Sequence, residues 1–170
     1  FFGYQGVLAQ RIVEAVVAWE SVAAPKGHLV LNISAGWHPS TNLASTGGVR
    51  GSVGAVKDAL RWARCRGALP LVAAGNETGG PLGRTGPLEP AAWERVAAPL
   101  ASSKCPLGAA GAEPLVFAVG GVDGRQRALG VGRMGGRPAL AAAGLQVFGS
   151  ELGARHQTIG VLTGTSASTG

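Results

Sequence analysis

The hydrophobic residues near the start of the chain recur at intervals of three and four positions, the spacing of one helix face. This pattern predicts a helix from residue 5 to about residue 22. A second helix is predicted over residues 51–66 and should end at Gly67, because glycine readily adopts the left-handed conformation that closes helices. The apolar faces consist of Leu8, Ile12, Val16 and Trp19 in the first helix and Val53, Val56, Leu60 and Ala63 in the second.

Short, uninterrupted apolar runs follow these helices. Runs of this kind predict strands that are buried on both faces. Because helix and strand alternate along the first half of the chain, we predict an α/β fold with three layers, α/β/α, and a mainly parallel sheet. The predicted strands are residues 29–33, 68–75 and 114–124, with one or two more in residues 138–150.

Two segments lack periodicity and are predicted to be irregular. Residues 35–48 are rich in Gly, Pro, Ser and Asn, which are typical of loops. Residues 76–113 contain only a short predicted helix near residues 90–98. In open parallel sheets, sites form outside the carboxyl ends of the strands, so the segments that follow the first two strands are the first candidates for a functional site.

The composition is that of one folded domain. Of the 170 residues, 46% are hydrophobic and 14% are charged, which excludes a disordered, solvated chain. No run of about 18 apolar residues occurs, so no membrane span is predicted. The net charge is +6, but the basic residues are scattered and no aromatic platform accompanies them. We therefore predict no nucleic-acid partner.

The two cysteines, Cys65 and Cys105, leave two alternatives open. They have neither the C-x-x-C spacing nor a nearby histidine that a zinc site requires. They are either two isolated buried thiols or a disulfide. In the chain-entropy model, a disulfide that closes a loop of this size stabilises the fold by about 4 kcal/mol.

Two polar motifs have chemical potential. Asn76 directly follows the second predicted strand, where its side-chain amide could donate to a developing oxyanion. The structural alternative is an asparagine that serves only the turn. Ser166, in Gly-Thr-Ser-Ala-Ser, lies where a turn should open a helix, and helix N-termini carry unpaired N–H groups and partial positive charge. Asn32 and Asn76 also begin glycosylation sequons, which we discount because both lie at the ends of buried strands.

The order of the motifs from residue 28 to the end resembles that of the subtilisin-like serine peptidases. Asn-Ile-Ser-Ala-Gly comes first, then Ala-Ala-Gly-Asn-Glu, then Val-Phe-Ala-Val-Gly-Gly-Val-Asp. Residues 141–150, Ala-Ala-Ala-Gly-Leu-Gln-Val-Phe-Gly-Ser, follow, and Gly-Thr-Ser-Ala-Ser is last. The resemblance implies a serine endopeptidase in which Ser166 is the nucleophile. It also implies that the Ser166 N–H and the Asn76 amide form the oxyanion hole.

The same resemblance implies a polypeptide substrate that binds as an extended strand. The side chain on the acyl side of the cleaved bond, P1, would lie between two walls. These walls consist of small residues, so a sizeable P1 side chain is expected, and the pocket floor is expected within residues 78–113. The walls are Ser34, Ala35 and Gly36 on one side and Ala73, Ala74 and Gly75 on the other.

The family's aspartate and histidine motifs do not occur in this sequence. Its two aspartates are Asp58 and Asp123, and its histidines are His28, His38 and His156. Since a serine nucleophile needs a base and an orienting carboxylate, we expect residues 1–170 to be one partial catalytic domain. The triad Asp and His would then lie upstream and the rest of a helix downstream, and the fragment alone would be inactive.

Three alternatives remain at this point. A peptide-binding homologue without catalysis would keep the scaffold and lack the upstream motifs. The sedolisins, acid-acting relatives, share the Gly-Thr-Ser motif but carry Asp where this chain has Asn76. Residues 130–135, Gly-Val-Gly-Arg-Met-Gly, match the dinucleotide fingerprint, but no helix start follows them.

Cofactors and location can be expected only from the resemblance. Calcium is frequent in the family, but no run of oxygen ligands in this sequence identifies a site, so no cofactor or metal is assigned. Secretion is expected for the same reason.

Overall fold

The computed structural model describes residues 5–22, 27–39, 48–76, 85–133, 137–152 and 157–169. Parts of both predicted loops therefore lie outside the described residues, as do His156 and residues 134 and 135 of the Gly-x-Gly-x-x-Gly match. All six residues of the two walls predicted to enclose the P1 side chain are described.

Both predicted helices are present. Helix α1 spans Gln5–Ser21 and helix α2 spans Gly48–Cys65. After α2, Gly67 adopts a φ of 83°, and the N–H groups of Gly67 and Ala68 donate to the carbonyls of Arg64 and Ala63. This hydrogen-bonding pattern is a Schellman cap, which confirms that glycine ends the helix. No helix in the described part of the chain is long and apolar enough to cross a membrane.

Four strands form one parallel sheet in the order β1-β2-β3-β4. Strands that are adjacent in the sheet are also consecutive along the chain. The α/β fold and the parallel sheet are therefore as predicted from the alternation of helices and apolar runs. The strands are β1 (Val30–Ile33), β2 (Leu69–Ala73), β3 (Phe117–Val122) and β4 (Leu140–Ala143).

Helices cover both faces of this sheet. Val72 and Ala118, paired across β2 and β3, lie in one buried cluster with α1 and α2. Side chains alternate between faces along a strand, so Gly121 points away from that cluster. The space beside it is occupied by Leu129 and by Ser168 of the short helix α3, Thr165–Thr169. The buried residues contributed by the two long helices are Ala9, Ile12, Val16, Val56, Ala59, Leu60 and Ala63.

A separate antiparallel pair precedes α3. It consists of β5 (Val147–Leu152) and β6 (Gln157–Leu162). The apolar run 138–150 thus contributes to two strands, as expected. Strand β6 was not predicted, because Gly160 interrupts its pattern and its hydrogen bonds come from pairing with β5.

The amino ends of β2 and β3 are closed by a disulfide and an ion pair. Cys65 and Cys105 are bonded to each other, with Cα atoms 4.5 Å apart, which decides between the two alternatives for the cysteines. The buried Arg64 guanidinium donates to Glu113 and to the Ala68 carbonyl and lies over the Phe117 ring. Glu94, on the 3-10 helix Ala91–Arg95, accepts from the N–H groups of Ala118 and Ala139.

Candidate functional site

A cleft of about 190 Å³ opens at the carboxyl ends of β1 and β2. Three segments that are distant in sequence meet there: the residues after β1, the residues after β2 and the start of α3. This is the edge at which a parallel sheet is expected to present a site. The cleft is lined by Ser34, Ala35, Gly36, Ala73, Gly75, Asn76, Leu88, Thr165 and Ser166.

The structure brings together seven of the eight site residues named from the sequence. The exception is Ala74, whose carbonyl accepts a hydrogen bond from the Leu88 N–H. Ala74 lines a different, small cavity, which Glu94 and Pro138 also border. Gly75 has a φ of 100°, a conformation that side chains disfavour, so glycine is required where the chain leaves β2.

The orientation of the Asn76 amide is fixed by hydrogen bonds. Its Oδ1 accepts from the Thr165 N–H at 2.9 Å and from the Thr165 hydroxyl at 3.2 Å. A backbone N–H can donate only to the carbonyl oxygen of an amide, so the Asn76 Nδ2 group is left as a donor. Gly164 leaves room for this group, since a Cβ at Gly164 would lie 2.5 Å from Asn76 Nδ2.

Thr165 is a residue of the candidate site that sequence reasoning missed. It is 2% exposed. Its hydroxyl accepts from the Gly75 N–H at 3.1 Å while it donates to Asn76. Thr165 therefore connects the end of β2 to the start of α3, and it aligns Asn76 with Ser166. The only signal in the sequence is its position beside Ser166 in the Gly-Thr-Ser motif.

Ser166 lies in the first turn of α3, and its side chain is exposed to the cleft. N–H groups in the first turn of a helix have no acceptor within the helix. The Ser166 carbonyl accepts from the hydroxyls of Ser34 and Thr169, at 3.4 and 2.9 Å. These contacts tie α3 to the segment after β1.

The described ionisable residues named from the sequence, Asp58, Asp123, His28 and His38, do not line the cleft that contains Ser166. No histidine or carboxylate is among the residues that line the described cleft. Asp58 pairs with Arg61 on α2. Hydrogen bonds from the backbone and side chain of Arg127 lower the pKa of Asp123, in the turn after β3. His28 is exposed at the start of β1, and His38 lies after Trp37. The described part of the chain therefore places no base beside the serine.

The described residues contain no group of three or more His, Cys, Asp or Glu that could hold a metal. Calcium thus remains an expectation from the resemblance. The described part of the dinucleotide match, residues 130–133, is not helical. Instead, Gly132 pairs with Asn76 in an antiparallel bridge, and the Arg133 N–H donates to the Gly75 carbonyl.

No protein-family model matches the chain, and no curated protein matches it in sequence. Its fold is similar to that of the prenylagaramide maturation protease PagA, with a TM-score of 0.63 and 20% identity over 97% of the chain. It is also similar to a solved structure described as S41 psychrophilic protease, with a TM-score of 0.58 and 18% identity over 98% of the chain. The matches cover 45% and 46% of those two proteins. At these identities the likeness establishes the fold: the chain has an α/β fold shared with two proteases, and it spans less than half the length of either.

Proposed function

We propose that this chain is part of a serine endopeptidase of the subtilisin-like type, with Ser166 as nucleophile and Asn76 as oxyanion donor. One observation carries the proposal. Thr165 holds the Asn76 carbonyl oxygen and leaves the amide N–H₂ free to donate beside an exposed serine at a helix start. This is the arrangement that an acyl-transfer site requires.

The chemistry follows from these groups. The Ser166 hydroxyl oxygen attacks the peptide carbonyl carbon while a base takes its proton. The carbonyl oxygen becomes an oxyanion, which accepts from the Ser166 N–H and from Asn76 Nδ2. The intermediate collapses when the C–N bond breaks and the amine receives the proton. Water then hydrolyses the acyl-serine and restores the hydroxyl.

The base and its orienting carboxylate are proposed to come from the rest of the protein. This fits the absence of a histidine or carboxylate from the lining of the described cleft. A protein that has this serine and this oxyanion donor but no base would instead be a peptide-binding homologue without catalysis. That second function is the outcome expected if Ser166 proves unreactive.

The proposed substrate is an extended polypeptide that lies along the segments after β1 and β2. We also propose a secreted or extracellular location. The disulfide between Cys65 and Cys105 supports it, because disulfides persist in oxidising compartments.

The proposal is tested by peptide hydrolysis with the full-length protein and two serine variants. Ser166→Ala removes the nucleophile, and turnover should fall to the background of the uncatalysed assay. Ser103→Ala is the matched control, since Ser103 is exposed on the loop that carries Cys105. Equal turnover in wild type and Ser166→Ala would refute the assignment.

A further inference from the structure

We infer that Leu88 closes the pocket between the two walls and restricts P1 to small side chains such as alanine. This inference rests on the proposed function for its substrate, but the contacts that carry it are independent of Ser166. The walls alone suggested a sizeable P1 side chain, because all their residues are small. Leu88 lies between those walls, in a segment that the sequence left as irregular.

The Leu88 side chain occupies the space that both wall glycines leave open. A Cβ built on Gly36 would lie 3.0 Å from the Leu88 Cβ and 3.2 Å from its Cδ1. A Cβ built on Gly75 would lie 2.8 Å from the Leu88 Cγ and Cδ1. Leu88 therefore fills the gap from one wall to the other. The glycines make room for this leucine, so the part of the cleft next to Gly36 and Gly75 is not available to a substrate side chain.

The backbone around Leu88 is hydrogen-bonded to one wall and to the residue that follows the other wall. The Leu88 N–H donates to the Ala74 carbonyl at 3.3 Å. The next residue, Glu89, exchanges two backbone hydrogen bonds with Trp37, of 2.8 and 2.9 Å. The Glu89 carboxylate also accepts from the Trp37 indole at 3.0 Å. Leu88 and Glu89 thus form a cross-piece, a short connection between the segment after β1 and the segment after β2.

Both ends of this cross-piece are anchored. On one side, Arg133 donates to the carbonyls of Gly86 and Thr85, at 2.6 and 3.2 Å. On the other side, the chain enters the 3-10 helix, where Trp93 is buried and packs edge-on against Trp37 at 5.9 Å. Because the segment is held at both ends, Leu88 cannot withdraw to admit a large side chain without breaking these contacts.

The test compares peptides that differ only at P1, with alanine or phenylalanine, in the full-length protein. For wild type, kcat/KM should be at least about tenfold higher with alanine. In Leu88→Ala, the ratio of phenylalanine to alanine should rise at least about tenfold. Leu88→Met conserves the volume and should keep the wild-type ratio. Leu100→Ala, at a leucine 62% exposed and outside the cleft, is the matched control.

Binding of product peptides separates this inference from the proposed function, because a peptide that ends in alanine or phenylalanine fills the pocket without any catalysis. In calorimetry, the ratio of phenylalanine-peptide affinity to alanine-peptide affinity should likewise rise from wild type to Leu88→Ala. An active enzyme with the same P1 ratio in both proteins would overturn the role of Leu88 and leave the peptidase intact. An inactive protein in which Leu88→Ala raises the phenylalanine-to-alanine affinity ratio would retain the role of Leu88 and refute the peptidase. If neither hydrolysis nor binding distinguishes the two peptides, the role of Leu88 is refuted.

Discussion

The two ends of the four-stranded sheet are built from different chemistry. At the amino ends of β2 and β3, a disulfide and a buried guanidinium join α2 to the loop before β3. At the carboxyl ends of β1 and β2, glycines, hydroxyls and one amide surround an open cleft. The comparison teaches that the strong cross-links lie away from the cleft, where they can stabilise the scaffold and leave the cleft open.

This difference separates stability from activity. We call the amino ends of β2 and β3 the closed end of the sheet, and the carboxyl ends of β1 and β2 the open end. A change at the closed end should lower the free energy of unfolding while the folded protein keeps its turnover. A change at the open end should lower turnover and leave unfolding nearly unchanged. Each of the following variants, made in the full-length protein, tests one side of this division.

The largest effect is expected from the disulfide. Cys65 and Cys105 are separated by 40 positions, and removing the cross-link from a loop of that size costs about 4 kcal/mol in the chain-entropy model. The double variant Cys65→Ser with Cys105→Ser should therefore unfold at lower urea concentration, with kcat unchanged below the transition. An unchanged urea midpoint, or a lower kcat in the folded protein, would contradict the division.

The next effect concerns Asn76→Asp. Asp retains an oxygen that can accept from the Thr165 N–H but loses the N–H₂ donor. Turnover should fall by about 10²–10³, and the urea midpoint should change little. Asn32→Asp, at an exposed asparagine of β1, is the matched control. Full activity of Asn76→Asp would show that the amide serves only the turn.

A smaller effect is expected at the ion pair of the closed end. The Arg64 side chain is 9% exposed and that of Glu113 is 44% exposed. Glu113→Gln keeps the shape but weakens a hydrogen bond to a buried cation, and solvent screens part of the loss. Unfolding should become easier by about 1 kcal/mol. Glu14→Gln, in an exposed pair with Arg11, should produce no resolvable change.

The smallest effect is a pH dependence at Asp123. Hydrogen bonds from Arg127, and from the Arg125 N–H, lower the pKa of this carboxyl in the folded state. Its contribution to stability is therefore present above the ordinary pKa of aspartate and is lost as pH falls through the lowered value. The difference in urea midpoint between wild type and Asp123→Asn should shrink over that acidic range. A difference that grows as pH falls would contradict this sign.

Local patterns predicted most of the scaffold. The helix-face spacing around Ile12 and Leu60 and the apolar runs of β2 and β3 reflect burial, which each segment shows by itself. The run of β1 also forms a strand, but the expectation that it is buried on both faces is wrong, because Val30 and Asn32 are exposed. Strand β6 escaped prediction because its stability depends on pairing with β5. The same distinction holds in the site. Asn76 and Ser166 were found only through their order along the chain.

Thr165 and Leu88 were not found from the sequence, because their roles depend on partners far along the chain. The Thr165 hydroxyl bonds to Gly75 and Asn76. Leu88 matters because it packs where Gly36 and Gly75 leave space. The sequence showed that the residues of the predicted walls are small. It did not show which side chain from another part of the chain lies between them.

The central claim is that Ser166 is an activated nucleophile, and a fluorophosphonate probe tests it most directly. The activated hydroxyl oxygen displaces fluoride from phosphorus and keeps the label, which mass spectrometry of the full-length protein then locates. The account predicts a label on Ser166 in wild type and in Ser103→Ala, and none in Ser166→Ala. A folded wild-type protein that carries no label on Ser166 would contradict the account and leave a cleft that binds peptides without cleaving them.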